Sequence, residues 1–236
     1  MAREPAPPRV LAVLGMHRSG TSALAGSLEL AGVHLGDTFA PAFDNPKGNR
    51  ESTRVLALHD DLLHRGGARW DRPEGNLPWE PIHRALRDAI IDCNREASIW
   101  GFKDPRTLFV LGGWLRALPR LEPVGIFRHP LLVAESLRRR NDFPLERGLE
   151  LWLTYNRVLR WHHERLHGFP LVEFDIDPVR FTARLDGLRD ALRLKKPAES
   201  FFEPSLRQQT VPDAPKSASL KPALALYGKL QRLALD

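Results

Sequence analysis

The stretch RVLAVLGMHRSGTSAL, residues 9–24, sets the expectation for the whole fold. An apolar run of strand length ends at a glycine, and leucine and alanine recur at helical spacing from residue 22 onward. A turn of this kind presents backbone amides and a helix N-terminus to an anion. Gly15 and Gly20 have the spacing of G-x-x-x-x-G-K-[ST], but Thr21 occupies the lysine position and Arg18 lies inside the loop. The loop therefore predicts phosphate binding without the lysine that reaches the outer phosphates of ATP.

The same alternation continues along the chain. Further strands are predicted over 99–106, 122–130 and 170–175, and helices over 22–33, 52–63, 82–95, 107–118, 131–140, 145–167 and 179–194. Strands that alternate with helices predict a three-layer, P-loop-like α/β fold, in which a mostly parallel central sheet has helices on both faces. The stripe of Trp152, Tyr155 and Leu159 is predicted to be core.

The length of 236 residues suits one domain, 1–236. Its core is expected over 9–194, and the proline- and serine-rich segment 195–236 is expected to form a surface tail or lid. A short helix is predicted over 223–235, and docking on the core is favoured over contact with a membrane or a partner.

Composition points to a cytoplasmic protein with an anionic partner. No window approaches the roughly 18 apolar residues of a membrane span, residues 1–9 lack the apolar region of a secretory signal, and Cys93 is the only cysteine. The formal charge of +6 favours an anionic partner. Because the chain shows no interleaved basic and aromatic residues, we assign that charge to a nucleotide and an anionic acceptor and expect no nucleic acid.

A second motif, RHPLLVAES, places Arg128 at a strand end and Ser136 on the following helix. Together with HRSGTS, this motif resembles the sulfotransferases that use 3′-phosphoadenosine 5′-phosphosulfate (PAPS). DNPKGNRES (44–52) and WGFKDPR (100–106) resemble elements of bacterial members, and the resemblance spans residues 10–177. It implies a PAPS donor, 3′,5′-diphosphoadenosine (PAP) as product, no metal, and a hydroxyl acceptor on a sugar, lipid or small metabolite, with an amine as second choice.

The resemblance also implies individual roles. Arg128 and Ser136 would hold the 3′-phosphate, and Arg18 stands at the position of the family's lysine, beside the leaving phosphate. The residues expected to wrap the 5′ end are His17, Arg18, Ser19, Gly20, Thr21 and Ser22.

The catalytic base is less clear from the sequence. Lys103 is an expected electrostatic catalyst at a strand end, but Pro105 stands where the cytosolic aryl and steroid members carry a histidine base. Glu51 is the first choice for the base, Asp104 the second and His59 the third. A helix cap is an equally weighted role for Glu51.

Several alternatives stay open at this stage. A kinase-like phosphotransferase that uses ATP and Mg²⁺, or an inactive nucleotide-binding module, would share the loop. The sequence HERLH, 163–167, matches a zinc-protease motif but is interpreted as a solvated helix end. Arg138, Arg139 and Arg140 could extend the nucleotide site or be solvated, and Trp70 and Trp79 could shape the acceptor pocket.

Overall fold

Four parallel strands form the centre of the part of the chain that the structure describes. The structure is a computed structural model, and it describes residues 7–38, 47–74, 77–207, 210–211 and 216–235. The strands are β1 (Arg9–Leu14), β2 (Ile99–Lys103), β3 (Glu122–Phe127) and β4 (Leu171–Glu173). They lie in the order β2-β1-β3-β4, and every pair is parallel. The predicted parallel α/β sheet is confirmed.

Eight α-helices and one 3₁₀ helix (Pro204–Leu206) occur in the described part of the chain. The helices are α1 (Thr21–Leu30), α2 (Thr53–Arg65), α3 (Pro81–Cys93), α4 (Thr107–Ala117), α5 (Pro130–Asn141), α6 (Leu145–Arg165), α7 (Pro178–Ala191) and α8 (Leu220–Gln231). Most predicted helices are found within a few residues of their expected bounds. The strands are shorter than predicted, and β2 ends at Lys103 because Asp104 and Pro105 begin a turn.

Alternate residues of β1 pack into two separate cores, one on each face of the sheet. Leu11 and Val13 contact a cluster that includes α1 and α7, whereas Val10, Ala12 and Leu14 belong to a larger cluster with the other helices. Successive side chains of a strand point to opposite faces, so an apolar run such as β1 can bury both. The three-layer prediction is therefore confirmed.

Helix α8 closes the larger core. Ala223, Leu226, Tyr227 and Leu230 are buried, and α8 packs against α5 and α6. The docked position expected for the C-terminal helix is the one observed.

Trp152, Tyr155 and Leu159 are fully buried on α6, as predicted. Cys93, at the end of α3, is exposed. Among the described residues, no helix combines the length and the apolar character that a bilayer crossing requires.

Because all four strands are parallel, their carboxyl ends meet at one edge of the sheet. The segments that follow β1, β2, β3 and β4 therefore lie close together. Ligands of open α/β sheets bind at this edge.

Candidate active site

The loop between β1 and α1 is shaped by two glycines. A Cβ at Gly15 would lie 2.5 Å from the carbonyl oxygen of Ile126 on the neighbouring strand, so a side chain does not fit there. Gly20 has a φ of +86° and packs directly against the Phe174 ring, which a Cβ would meet at 2.4 Å. Because of these two glycines the loop lies close to the edge of the sheet, and α1 begins at Thr21. The N-terminus of α1 thus opens into the site.

Arg18 and the element that follows β3 are in direct contact. Arg18 Nε donates to Ser136 Oγ at 2.8 Å, and Arg128 Nη1 donates to the carbonyl oxygen of Arg18 at 3.2 Å. Arg128 is fixed from its other side by Asp175, whose carboxylate accepts from Nε at 3.1 Å. Two motifs 118 residues apart in sequence therefore meet in one cluster of hydrogen bonds.

A second arginine, which the sequence analysis missed, lies beside Arg128. The Phe174 ring is flanked by the guanidinium groups of Arg128 and Arg207, at 5.4 and 5.6 Å from its centroid. Arg207 also donates to the carbonyl oxygens of Phe174 and Ile176. It belongs to the segment predicted as a tail, where no motif or periodicity marked it.

Glu51 and Lys103 form a buried ion pair. Lys103 Nζ donates to Glu51 Oε1 at 2.8 Å, and their side chains are 2% and 11% exposed. Burial lowers the pKa of Lys103, and the charge of Glu51 opposes that effect. The N-cap of α2 is Ser52, and the Glu51 carboxylate is directed to Lys103, so the helix-cap role for Glu51 is wrong.

The other two candidates for the base lie beneath the site. His59 and Asp104 are fully buried, with His59 Nδ1 3.1 Å from Asp104 Oδ2. Trp114 Nε1 donates to His59 Nε2 at 2.8 Å, so the proton of a neutral imidazole lies on Nδ1 and is donated to Asp104. Both ring nitrogens of His59 therefore have hydrogen-bond partners inside the protein.

Asp104 is also held by Arg106, whose backbone amide donates to Oδ1 at 2.9 Å. Burial by itself would raise the pKa of Asp104, but the hydrogen bond from His59 and the charge of Arg106 hold it below its usual range. A carboxylate with a lowered pKa and several donors is a weak base. Neither Asp104 nor His59 lines the cavity described below.

A cavity of about 560 Å³ joins these groups. It extends from Phe174 and Arg207 past Arg18 to Lys103 and Trp70. The predicted site residues that line it are His17, Arg18, Gly20, Thr21, Ser22, Glu51, Lys103 and Arg128. Ser19 is fully buried, and its Oγ has no hydrogen-bond partner among the residues that the structure describes. Ser136 is not among the residues that line the cavity, but its Oγ accepts from Arg18, which does line it.

His17 and Trp70 form one wall of this cavity. Their ring centroids are 5.0 Å apart, and the Trp70 indole stacks on Phe143 at 5.9 Å. Tyr155 Oη donates to the carbonyl oxygen of Trp70 at 2.7 Å, which fixes the loop from below. Burial lowers the pKa of His17 to about 3, so the imidazole is neutral at physiological pH.

The structure gives different outcomes for Trp79 and for the HERLH stretch, 163–167. Trp79 is buried against Trp114, 6.1 Å away, and does not line the cavity, so its expected role in the acceptor pocket is wrong. Helix α6 ends at Arg165, which leaves His167 outside the helix with a φ of 59°. No group of three or more His, Cys, Asp or Glu side chains suited to a metal occurs within 7–38, 47–74, 77–207, 210–211 and 216–235.

The three arginines of the run 138–140 lie in two different environments. Arg138 and Arg139 pair with Glu135 at 2.8 and 2.9 Å, whereas Arg140 lines the cavity.

Solved structures with a similar fold are sulfotransferase domains. The sulfotransferase domain of the olefin synthase from Synechococcus PCC 7002 matches with a TM-score of 0.51 and 17% identity, over 99% of this chain and 90% of that chain. Sulfotransferase STF1 from Mycobacterium tuberculosis H37Rv matches with a TM-score of 0.46 and 17% identity, over 97% of this chain and 76% of that chain. The sulfotransferase domain of the curacin biosynthetic pathway matches with a TM-score of 0.48 and 14% identity, over 98% and 93% of the two chains. No family model matches the sequence, and no curated protein is significantly similar to it.

Proposed function

Starting from a chain with the fold of a sulfotransferase domain, we propose that this protein transfers a sulfuryl group from PAPS to a hydroxyl group of its acceptor, with an amine as second choice. The observation that carries the proposal is the contact between the two anion-binding motifs. Arg18 and Ser136 are 2.8 Å apart, and Arg128 holds the backbone of Arg18. A donor with phosphates at both its 5′ and 3′ positions needs two such motifs at one cavity, whereas ATP has no 3′-phosphate.

The residues of the loop suit the 5′ end of the donor. The backbone amides at the start of α1 favour an anion. The buried Ser19 Oγ has no hydrogen-bond partner among the described residues, so a phosphate oxygen can supply one. Arg18 adds a guanidinium that can hold the leaving phosphate by charge-assisted hydrogen bonds. Thr21 at the Walker lysine position leaves the loop without the cation that kinases use.

Arg128, Ser136 and Arg207 are assigned to the 3′-phosphate. Arg128 and Arg207 flank one ring, so both cations lie at the same end of the cavity. Arg207 extends the pair expected from the sequence, and it makes this end suited to a dianion.

Glu51 and Lys103 are assigned to the chemical step. The acceptor oxygen forms a bond to sulfur and loses its proton to Glu51, while the bond from sulfur to the bridging oxygen breaks and its electron pair leaves with PAP. Lys103 stabilises the charge that develops on the bridging oxygen. Lys103 Nζ donates to Glu51 Oε1 at 2.8 Å, so the proposed base and the proposed electrostatic catalyst lie side by side.

Calorimetry tests the donor assignment before any acceptor is known. We expect PAP to bind more tightly than adenosine 5′-monophosphate, and Arg128→Ala to remove most of that difference, about 2 kcal/mol. Arg139→Ala is the matched control, because it removes an equal charge from a residue outside the cavity. Equal affinity of PAP and adenosine 5′-monophosphate, or tighter binding of ATP with Mg²⁺, would contradict the proposal and favour a phosphotransferase.

A further inference from the structure

We propose that the side chain of Lys47 is a gate across the donor end of the cavity, which opens to let PAPS enter and PAP leave. This inference rests on the proposed sulfotransferase function and gives a role to a residue that the donor assignment does not use. It follows from the contacts between two segments that contribute to the lining of the cavity, the first segment, 47–51, and the second segment, 201–207.

Each segment is fixed by contacts of its own. In the first segment, the carbonyl oxygen of Asn49 accepts from Ser22 Oγ at 3.1 Å. In the second segment, Phe202 is buried, and its ring centroid lies 4.6 Å from that of Phe181. The same segment ends at Arg207, which donates to two backbone carbonyl oxygens after β4. The two segments are therefore anchored independently on two sides of the cavity.

Lys47 connects the two segments. Its Nζ donates to the carbonyl oxygen of Phe201 at 2.6 Å and lies 3.3 Å from Glu203 Oε2. Nζ also lies 5.0 Å from the centroid of the Phe201 ring. That ring rests on α1, because a Cβ at Gly26 would lie 2.4 Å from it. One flexible side chain thus makes three contacts with a fixed partner surface.

The connection lies on the solvent side of the cavity. The side chains of Lys47 and Glu203 are 30% and 50% exposed, and both residues line the cavity. A lysine has a flexible four-carbon stem and a strongly hydrated ammonium group, so it can swing into water and leave both segments in place. The three contacts favour the closed position, and their loss opens the gate.

The gate is at the donor end of the cavity. Lys47 is bonded to the segment that ends at Arg207, and Arg207 and Arg128 flank the Phe174 ring. These two arginines are assigned to the 3′-phosphate of the donor. A nucleotide that places its 3′-phosphate there passes the connection made by Lys47.

A gate acts on both directions of nucleotide exchange. If PAP passes only while Lys47 is swung out, its association and dissociation rate constants are both proportional to the open fraction. The Kd changes much less, because the open fraction enters both rate constants. A lysine that bound a phosphate directly would behave differently, since its removal would speed dissociation alone and raise the Kd.

Surface plasmon resonance measures both rate constants for PAP on the full chain, at about 0.5 M salt to screen long-range charge. We expect Lys47→Met to raise both by about tenfold, and Glu203→Gln, which removes one exposed ion pair, to raise both by about two- to fivefold. Lys47→Arg keeps the contacts and should stay near the wild type. Lys196→Met and Glu199→Gln are charge-matched controls that do not line the cavity, and both rate constants should stay unchanged in them.

Faster dissociation with unchanged or slower association in Lys47→Met would make this lysine a phosphate ligand and would overturn the gate. Slower dissociation in Glu203→Gln, which the loss of a negative charge alone predicts, or unchanged rates in both variants would also overturn it. Absence of PAP binding to the wild type would overturn the proposed function itself, whereas PAP binding with any of these rate patterns would overturn only the gate.

Discussion

Replacing Glu51 by glutamine separates its proposed chemical role from its structural one. The change keeps the shape of the side chain but removes the charge that lies 2.8 Å from Lys103 Nζ. Removing one partner of a buried ion pair costs about 3–5 kcal/mol in the free energy of unfolding. The remaining amide oxygen can still accept from Lys103, so we expect a smaller loss of about 1–3 kcal/mol. For a chain of this size that corresponds to a decrease in Tm of about 2–12 °C.

The expected effect on turnover is much larger. A general base contributes about 10²–10⁴-fold, or roughly 3–5 kcal/mol of transition-state stabilisation. A glutamine cannot accept the proton of the acceptor, so kcat should fall by about that factor. The affinity for PAP should change little, because Glu51 is not assigned to the nucleotide.

The assay measures kcat with saturating PAPS and acceptor, at a temperature well below the Tm of every variant. Asp104→Asn is the structural control, because Asp104 is fully buried and does not line the cavity. It should lower the Tm and keep kcat within about tenfold of the wild type. If Glu51→Gln keeps near-normal kcat while Asp104→Asn or His59→Gln loses about 10²-fold or more, the base is one of those residues and our assignment of Glu51 is refuted.

The remaining predictions concern pH, the donor and metals. Unfolded chains bind a proton at His17 near its ordinary pKa of 6.5, but the folded protein does so only near 3, so stability should fall as the pH falls between these values. His17→Gln should flatten that slope in urea unfolding at pH 7 and pH 4, and a slope equal to that of the wild type would contradict the buried neutral imidazole. Arg207→Gln should weaken PAP by about tenfold or more while affecting adenosine 5′-monophosphate less, measured by calorimetry, and an equal loss for both nucleotides would remove Arg207 from the 3′-phosphate site. Transfer from PAPS should persist in excess EDTA, and a loss that Mg²⁺ or Zn²⁺ restores would argue for metal chemistry.

The fold and the loop after β1 were predictable from the sequence because the signals for them are local. A buried parallel strand is a short apolar run, glycines mark a turn, and an amphipathic helix repeats its apolar residues every three or four positions. Residues 9–24 contain all three signals in order. The parallel sheet then places the end of each strand at one edge, which is why Arg18 and Arg128 could be expected near each other.

The division of roles within the site depended on tertiary contacts. Glu51, Asp104 and His59 are chemically plausible bases in the sequence, but only the structure shows that Glu51 lines the cavity and that the other two do not. Similarly, the run 138–140 looks uniform in sequence, yet the rotation of about 100° between successive helical residues places Arg140 at the cavity and leaves Arg139 on Glu135.

Arg207 shows the same limit most clearly. It lies 79 positions after Arg128 in a segment without periodicity, and the two are brought together by packing around a single ring, that of Phe174. Local sequence determines which elements form, because hydrogen bonding and burial within a few residues decide them. The contacts between distant side chains depend on how those elements pack, and this packing decides which charges share the cavity.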